Sequence, residues 1–279
     1  MHYTYKEAGT DAILDVMVAD PGLQRRPLQQ DRGGAKLYTI IWNSSDKPQS
    51  AWVDEVEYPL APNALMLLIV DHTYRFERPA ELTAWRFNRE FYCIIDHDAE
   101  VGCAGFLFYG FPSPMLLTPD EDTLRKIQLL CPVFVDEFET HDGVQGEMLR
   151  MLLKRLIIIL TRLGKSALLP KQTAEVEYDV VRQFNMLVEK HFREKHQVAD
   201  YAALMHKSPK TLSNLFNKLA DKTPLQFIRE RIALEAKRLL MYTDKSVSEI
   251  GYDLGFRESS HFSRFFKSVA GISPSAVRS

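Results

Sequence analysis

The sequence predicts a two-domain α+β protein, with an amino-terminal β-barrel or jelly roll that carries added helices and a carboxy-terminal all-α domain. Short aromatic and β-branched segments separated by Pro, Asn, Asp and Gly fill residues 37–95, and helical periodicity dominates after residue 119. The charge divides along similar lines: residues 171–279 hold 18 Lys and Arg against 13 Asp and Glu, and residues 1–170 hold 17 against 24. A basic half suits a domain that approaches phosphate.

The amino-terminal β segments are short and regularly spaced. Several strands of this length are typical of a sandwich or a small barrel, which we place in residues 1–118. The predicted strands, chosen for their aromatic and β-branched content, are residues 37–42, 52–58, 64–70, 83–87 and 90–95.

The aromatic residues of these strands are open to two interpretations. They could line a pocket for a small effector, because ligand sites in barrel mouths are mostly apolar, or they could form a packed core. Arg86 and Arg89 flank the aromatic cluster and are candidates to anchor an acidic effector. The pocket candidates are Tyr38, Trp42, Trp52, Trp85, Phe87 and Phe91.

A metal-dependent enzyme is a further alternative for the barrel, but the sequence does not favour it. A metal-binding β-barrel needs two or three His and a carboxylate, typically beginning with His-x-His, and that run is absent. Asp71-His72 and Asp96-His97-Asp98 are typical of turns. The sequence also lacks a Gly-rich phosphate loop and a nucleophile elbow. We therefore predict no catalytic residue, no metal and no cofactor.

The predicted compartment is the cytoplasm. The amino terminus lacks the charged and apolar regions of a secretory signal, and the apolar runs are shorter than a membrane span. Cys93, Cys103 and Cys131 form no paired motif, which is typical of reduced thiols.

Two helices are predicted in residues 119–164. The first begins at Asp120, where acidic residues suit the helix dipole, and the second runs from about Val144 to Leu163. The second helix has more apolar surface than one seam requires, so either both faces pack on the barrel or one face forms a homodimer interface. The candidate interface residues are Leu149, Leu152, Leu156, Ile159 and Leu163.

A linker is predicted over residues 165–175, because Pro170 discourages a continuous helix. The carboxy-terminal domain then occupies residues 176–279. It contains two helix-turn-helix patterns about fifty residues apart, joined by a stiff helix from Pro224 to Leu240.

The first helix-turn-helix pattern has a well-marked second helix. Ser208 is a good N-cap, and Pro209 suits the first helical position. Asn side chains can pair with adenine, and Lys can meet guanine or phosphate. The outward polar residues, which we predict to contact DNA, are Lys210, Thr211, Ser213, Asn214, Asn217 and Lys218.

In the second pattern Gly255 suits the left-handed turn that ends the first helix. The helix that follows has an apolar stripe containing Phe262 and Phe266. Arg257 lies just before this helix and is a further candidate. The polar residues turned away from the stripe, also predicted to contact DNA, are Ser260, His261, Ser263, Arg264 and Lys267.

Several motifs of residues 176–279 resemble the AraC family of bacterial transcription regulators. They include Ser208-Pro-Lys-Thr-Leu-Ser-Asn-Leu-Phe, Glu249-Ile-Gly-Tyr-Asp-Leu-Gly-Phe and Gly271-Ile-Ser-Pro-Ser. The resemblance implies a seven-helix DNA-binding domain, contact with RNA polymerase, dimerisation through the helical segment, and a cupin-like jelly roll for a small effector. It assigns base reading to the positions of Lys210, Ser213, Asn214, Ser259, Ser260, Ser263 and Arg264.

We therefore predict a cytoplasmic, nucleoid-associated transcription activator that binds double-stranded DNA as a homodimer. The connecting helix spans about 25 Å, so one monomer could reach two major-groove half-sites about 34 Å apart. An alternative keeps the DNA-binding role but makes the amino-terminal half a ligand-free module for dimerisation and protein interaction. A less favoured alternative is a metal-dependent cupin enzyme fused to a DNA-binding domain.

Overall fold

The computed structural model describes residues 1–23, 37–70, 72–94, 107–108, 114–168, 173–219 and 222–278. The chain divides into two compact units, Met1–Pro170 and Lys171–Ser279. The predicted fold class is confirmed, because the first unit contains antiparallel sheets with helices and the second is helical.

The described strands of the first unit are β1 (His2–Lys6), β2 (Ile13–Val18), β3 (Tyr38–Asn43), β4 (Gln49–Val53), β5 (Val56–Leu60), β6 (Leu65–Leu68), β7 (Tyr74–Phe76), β8 (Leu82–Phe87) and β9 (Met115–Leu117). They form a larger sheet in the order β1-β2-β8-β3-β6-β9 and a smaller one in the order β5-β4-β7. All pairs are antiparallel. Strand β8 lies between β2 and β3, so the larger sheet joins segments distant in sequence.

Two of the strand predictions were wrong. The segment 52–58 is a hairpin, because Asp54 and Glu55 adopt positive φ angles of 49° and 68° and form a two-residue turn. Asp54 suits the first position of such a turn, but Glu55 stands where Gly is usual, so the sequence pattern concealed the turn. Residues 89–91 form a turn and no strand covers the described residues 90–94, while residue 95 lies outside the described part of the chain.

The inner face of the larger sheet packs against the smaller sheet. The shared core includes Ile41, Met66 and Ala84 from the larger sheet and Ala51 and Tyr74 from the smaller one. Because side chains alternate along a strand, the neighbours of these residues in the larger sheet point to the opposite, outer face. The two faces of the larger sheet therefore have different partners.

The outer face is covered by helices α1 (Glu121–Glu139) and α2 (Gln145–Leu168). Phe134 of α1 packs on Trp85 with ring centroids 6.0 Å apart, and Phe138 packs on Tyr3 at 5.6 Å. Asp120 caps α1 by accepting the Thr123 N–H at 2.8 Å.

The apolar seam of α2 is buried within the first unit. Its five predicted interface residues are each at most 9% exposed, which fits the alternative in which the seam packs inside its own unit: Leu149, Leu152, Leu156, Ile159 and Leu163. The exposed apolar side chains lie elsewhere, and include Met148 and Met151 on α2 and Leu129 and Val133 on α1.

The described helices of the second unit are α3 (Thr173–His191), α4 (Val198–Leu204), α5 (Pro209–Leu219), α6 (Pro224–Tyr242), α7 (Val247–Asp253), α8 (Ser259–Ala270) and α9 (Pro274–Arg278). Phe184 of α3 anchors the first core, with its ring 5.0 Å from Phe216 and 5.3 Å from Tyr201. A second core contains Phe256 and Phe262, whose centroids are 5.4 Å apart. Each helix-turn-helix therefore has an aromatic core of its own.

A buried ion network joins α6 to the segment around the end of α3. Glu235 is fully buried and receives hydrogen bonds from Arg193 at 2.7 Å and Arg238 at 2.8 Å. Arg231, 7% exposed, makes a two-pronged contact with Glu189 at 2.5 and 2.9 Å. A buried charge is stable only when paired and hydrogen-bonded, so this network specifies how the helices meet.

We predict that Glu235→Gln destabilises the second unit by about 3 kcal/mol, because the half-buried Arg238 and the buried Arg231 lose this carboxylate. Urea unfolding of the full chain can assign the effect to this unit, since Trp42, Trp52 and Trp85 all lie in the first unit. The circular dichroism transition should shift while the Trp fluorescence transition stays in place. Glu230→Gln, which removes a partly exposed ion pair of the same helix, should cost less than about 1 kcal/mol. Equal effects of the two substitutions would contradict the prediction.

Candidate nucleic-acid interface

The first helix-turn-helix consists of α4 and α5. The turn between them bends at His206, which has a φ of 52°, and the Lys207 N–H donates to the Ala202 carbonyl at 2.9 Å. Ser208 caps α5 as predicted, because its Oγ accepts the Thr211 N–H at 3.0 Å. The turn presents α5 with one side buried and the other exposed.

The exposed side of α5 carries the predicted DNA-binding residues, and some of them are already engaged. Leu212 and Phe216 are fully buried. Ser213 is half-buried and donates to the Pro209 carbonyl at 3.0 Å, and Lys218 pairs with Glu177 at 2.5 Å. The Thr211 hydroxyl lies 2.8 Å from the Ser208 hydroxyl.

Three polar residues of α5 remain available for DNA. Their side chains are exposed and form no hydrogen bond or ion pair with described residues: Lys210, Asn214 and Asn217. Their spacing of four and then three residues places them in one row along the helix. This row is the surface of α5 that can enter a major groove.

The second helix-turn-helix consists of α7 and α8. Helix α7 begins with a capping box in which Ser246 and Glu249 satisfy each other's backbone N–H groups. Sequence reasoning missed this box, although its Ser-x-x-Glu signal is visible. As predicted, Gly255 is left-handed, with a φ of 80°. A Cβ at Gly255 would also overlap the Arg193 carbonyl. This turn therefore requires glycine both for its positive φ and for the close approach of that carbonyl.

Helix α8 repeats the arrangement of α5 with an offset of fifty residues. Phe262 and Phe266 are fully buried, at the positions that match Leu212 and Phe216. The matching exposed row is Ser260, Arg264 and Lys267. Ser259 and Ser263 are half-buried at its edge, and Arg257 is exposed just before the helix. The two helices thus expose equivalent rows with different chemistry.

The charge of the α8 row is reduced at one end by Glu258, which sequence reasoning did not weigh. The Ser260 hydroxyl donates to its carboxylate at 3.2 Å, and His261 Nε2 lies 3.6 Å from it. Arg264 and Lys267 make no ion pair with described residues. They are the cations of this row that remain free to meet phosphate or a base.

Helix α6 supplies a residue that the sequence analysis also missed. The Arg229 guanidinium donates to Ser268 Oγ at 2.7 Å and lies over the Phe265 ring at 5.6 Å. It borders a shallow depression that His261 and Arg264 also line. This cation therefore adds to the positive surface beside α8.

The predicted effector-pocket residues do not all lie on one face of one sheet. Tyr38, Trp42, Trp85 and Phe87 belong to the outer face of the larger sheet and are at most 6% exposed. Trp85 packs on α1, whereas the Tyr38 and Phe87 rings pack on Phe108. Phe91 is 2% exposed in the turn after β8. In contrast, Trp52 lies on the smaller sheet under the Arg75 guanidinium, at 3.8 Å.

A polar cluster lies on the inner face of the larger sheet. Arg86 pairs with the buried Asp15 at 3.1 Å, and its strand neighbour on the other side is Thr39. The Thr39 hydroxyl lies 3.4 Å from the Tyr74 hydroxyl of the smaller sheet. The buried Arg86 Nε has no hydrogen-bond partner. Arg86 thus keeps a donor available between the sheets, whereas Arg89 is exposed on the turn after β8.

Across the described ranges, no three His, Cys, Asp or Glu side chains gather as a metal site would require. No helix within those ranges has the length and apolar character needed to cross a membrane.

The carboxy-terminal sequence matches a family model described as a helix-turn-helix domain over residues 201–279. This range covers α4 to α9, with both exposed rows. Residues 201–279 therefore form a helix-turn-helix domain.

Relatives of known sequence are regulators by name. The chain is 26% identical over 159 residues to the uncharacterized HTH-type transcriptional regulator YisR of Bacillus subtilis, which covers 55% of this chain and 54% of YisR. It is 38% identical over 81 residues to the transcriptional activator NphR of Rhodococcus, covering 29% of this chain and 24% of NphR. The chain thus spans about half the length of YisR and less of NphR.

Among solved structures, the DNA-binding domain of AdpA in complex with a target DNA is 31% identical to this chain. The match covers 37% of this chain and 88% of that domain, with a TM-score of 0.32.

We predict that the second unit loses stability on acidification through His196. This half-buried ring packs 4.9 Å from Phe256, and burial lowers its pKa below the ordinary value of 6.5, against smaller opposing effects of backbone hydrogen bonding at Leu254 and of Asp200. The unfolded chain therefore binds a proton more readily than the folded chain, and the free energy of unfolding falls as the pH drops below about 6.5.

The measurement compares the free energy of unfolding at pH 7.5 and 5.5 for the wild type and His196→Gln. Other titrating groups are common to both proteins, so the wild type should show the larger loss. Identical pH dependence in the two proteins would show that His196 does not contribute.

Proposed function

We propose that the chain is a sequence-specific transcription activator whose two helix-turn-helix motifs bind adjacent major-groove half-sites. The observation that carries this proposal is the pair of equivalent exposed rows, Lys210, Asn214 and Asn217 on α5 and Ser260, Arg264 and Lys267 on α8. Both rows are polar or cationic and belong to helices with fully buried opposite faces. The names of the regulators YisR and NphR support the same function.

The two rows differ in how they would recognise DNA. Asn214 can make a bidentate pair with adenine, and Lys210 can meet guanine or phosphate. On α8 the serines are short, so Arg264 is the long side chain suited to guanine, while Lys267 suits phosphate. We propose that α5 reads more sequence and that α8 depends more on phosphate contacts and DNA shape.

The test is selection of sites by the full chain from a random duplex pool, followed by salt-titrated binding. The enriched site should contain two elements about 34 Å apart. Asn214→Ala and Arg264→Ala should each weaken binding by about 1–3 kcal/mol and relax preference at one position. Lys267→Ala should weaken binding to all sequences alike. It should also lower the magnitude of the slope of log binding constant against log salt concentration by about one.

Lys6→Ala, which removes an exposed cation of the first unit, serves as the matched control and should bind as the wild type does. Binding that is indifferent to sequence and disappears with salt would contradict specific recognition.

We propose that an anionic effector binds between the two sheets at Arg86, with the Thr39 and Tyr74 hydroxyls as further contacts. The free donor on Arg86 Nε supports this site. Screening small carboxylates and phosphates for a rise in melting temperature tests it, and Arg86→Gln should abolish the rise. If no anion stabilises the wild type, the first unit is better explained as a ligand-free dimerisation and interaction module.

We also propose that the chain forms a homodimer through α1, since the α2 seam is buried. Arg125, Leu129, Val133 and Asp136 are exposed along one face of α1. In an antiparallel pair, Leu129 would meet Val133 of the partner subunit, and Arg125 would meet Asp136 of the partner subunit. Such a face is self-complementary, as a twofold interface requires.

Leu129→Glu with Val133→Glu should therefore give a folded monomer in sedimentation velocity, because charge replaces the apolar centre of the interface. Arg125→Asp with Asp136→Arg preserves the pairing and should remain dimeric. A dimer unaffected by the glutamates would place the interface elsewhere.

The proposed function involves no catalytic step. Contact with RNA polymerase is part of the proposal, since an activator must act on transcription from its site. It predicts that the purified chain stimulates transcription in vitro from a promoter that carries the selected site.

A further inference from the structure

A groove on the first unit combines apolar and cationic walls. It lies between the start of α1 and the second half of α2, with a volume of about 630 Å³. Met151 and Ile158 contribute apolar surface, and Arg155 and Arg162 of α2 face Lys126 of α1 across it. Grooves of this size are large enough for a ligand or a partner side-chain row.

The groove is basic although its unit is acidic. From Met148 to Leu168, helix α2 contains five Lys and Arg residues and no Asp or Glu. The groove-lining residue Asp120 is occupied as the N-cap of α1. Arg155 and Arg162 are exposed and form no hydrogen bond or ion pair with any described residue. Arg155 and Arg162 are therefore cations that no carboxylate of the described residues pairs with, and Asp120 is the acid that lines the groove with them.

The spacing of the groove residues matches a helix-binding surface. Met151, Arg155, Ile158 and Arg162 follow one another at steps of four, three and four residues. This is the heptad spacing in which apolar residues form a seam and charged residues flank it. Arg155 and Arg162 are two turns apart, about 10.5 Å along the axis, which is the distance between acids seven residues apart on a facing helix.

We propose that this groove docks an acidic amphipathic helix of a partner protein. The partner's apolar residues would pack on Met151 and Ile158, and its Glu or Asp residues would pair with Arg155, Arg162 and Lys126. A second copy of this chain is a poor occupant, because antiparallel α2 helices would set Arg155 and Arg162 against the same arginines. The groove follows α2 from Met151 to Ser166, about 22 Å, which suits a helix better than a compact anion.

The groove shares no residue with the proposed DNA-binding rows, so a protein partner bound there could regulate the chain without replacing DNA. Charge pairs at such interfaces determine which partner binds, and salt weakens them. The interaction should therefore be sensitive to both charge reversal and ionic strength.

The test uses a synthetic three-heptad peptide with Leu at the two seam positions and Glu at the flanking positions. A second peptide of the same length carries Lys in place of Glu, and a third has the acidic composition in scrambled order. Binding to the full chain is measured by fluorescence anisotropy at two salt concentrations. We expect the ordered acidic peptide to bind, and the scrambled and Lys peptides to bind at least ten-fold more weakly.

Arg155→Glu with Arg162→Glu should weaken binding of the acidic peptide at least ten-fold and strengthen binding of the Lys peptide. Lys6→Glu with Lys47→Glu makes the same charge change at exposed sites of the same unit and should leave both affinities unchanged. Circular dichroism checks that each variant is folded. DNA binding by the groove variant should match the wild type, so failure of this site and failure of the proposed DNA function are distinguishable.

Equal binding of the ordered and scrambled acidic peptides would overturn the proposal, because it would indicate attraction without a helix-shaped site. Peptide binding that survives the arginine reversal would overturn it as well. Dodecanoate that binds through Arg155 when no peptide does would identify a small amphiphilic anion as the occupant instead. A change of oligomeric state in the arginine variant without peptide binding would identify a second copy.

Discussion

The second unit depends on the carboxylate of Glu235, which is fully buried on helix α6. It binds Arg193, and the backbone carbonyl of that same arginine lies against Gly255 in the turn of the second helix-turn-helix. The buried charge of Glu235 thus connects three parts of the second unit: the segment after α3, helix α6, and the turn between α7 and α8. Because an uncompensated buried charge is costly, the alternative arrangements that separate these groups are disfavoured.

Helices α5 and α8 have the same form but expose different side chains, because their buried faces determine how they are oriented. Burial of Leu212 and Phe216, and of Phe262 and Phe266, orients α5 and α8 independently of their outward residues. The outer rows are then free to carry Asn and Lys in one motif and Ser, Arg and Lys in the other. Specificity can vary on such a scaffold without disturbing its core.

Much of the second unit was predictable because its signals are local. The Ser208 cap and the left-handed Gly255 act within one turn of backbone, and the structure has both. The features that were missed depend on residues distant in sequence. Lys218 donates a hydrogen bond to Glu177, forty-one residues away, and Arg229 donates one to Ser268. No spacing rule could have separated these engaged residues from Lys210 and Asn214, which remain exposed.

The sequence by itself determined the two-unit α+β division, the paired helix-turn-helix motifs and their polar rows, since hydrophobic periodicity and capping residues act over a few positions. Only the tertiary structure decided how the first unit uses its surfaces. Trp85 of β8 lies under α1, Arg86 lies between the sheets, and the α2 seam is buried. A strand pattern shows that two faces alternate, but which face meets a helix and which meets a second sheet depends on contacts between residues distant in sequence.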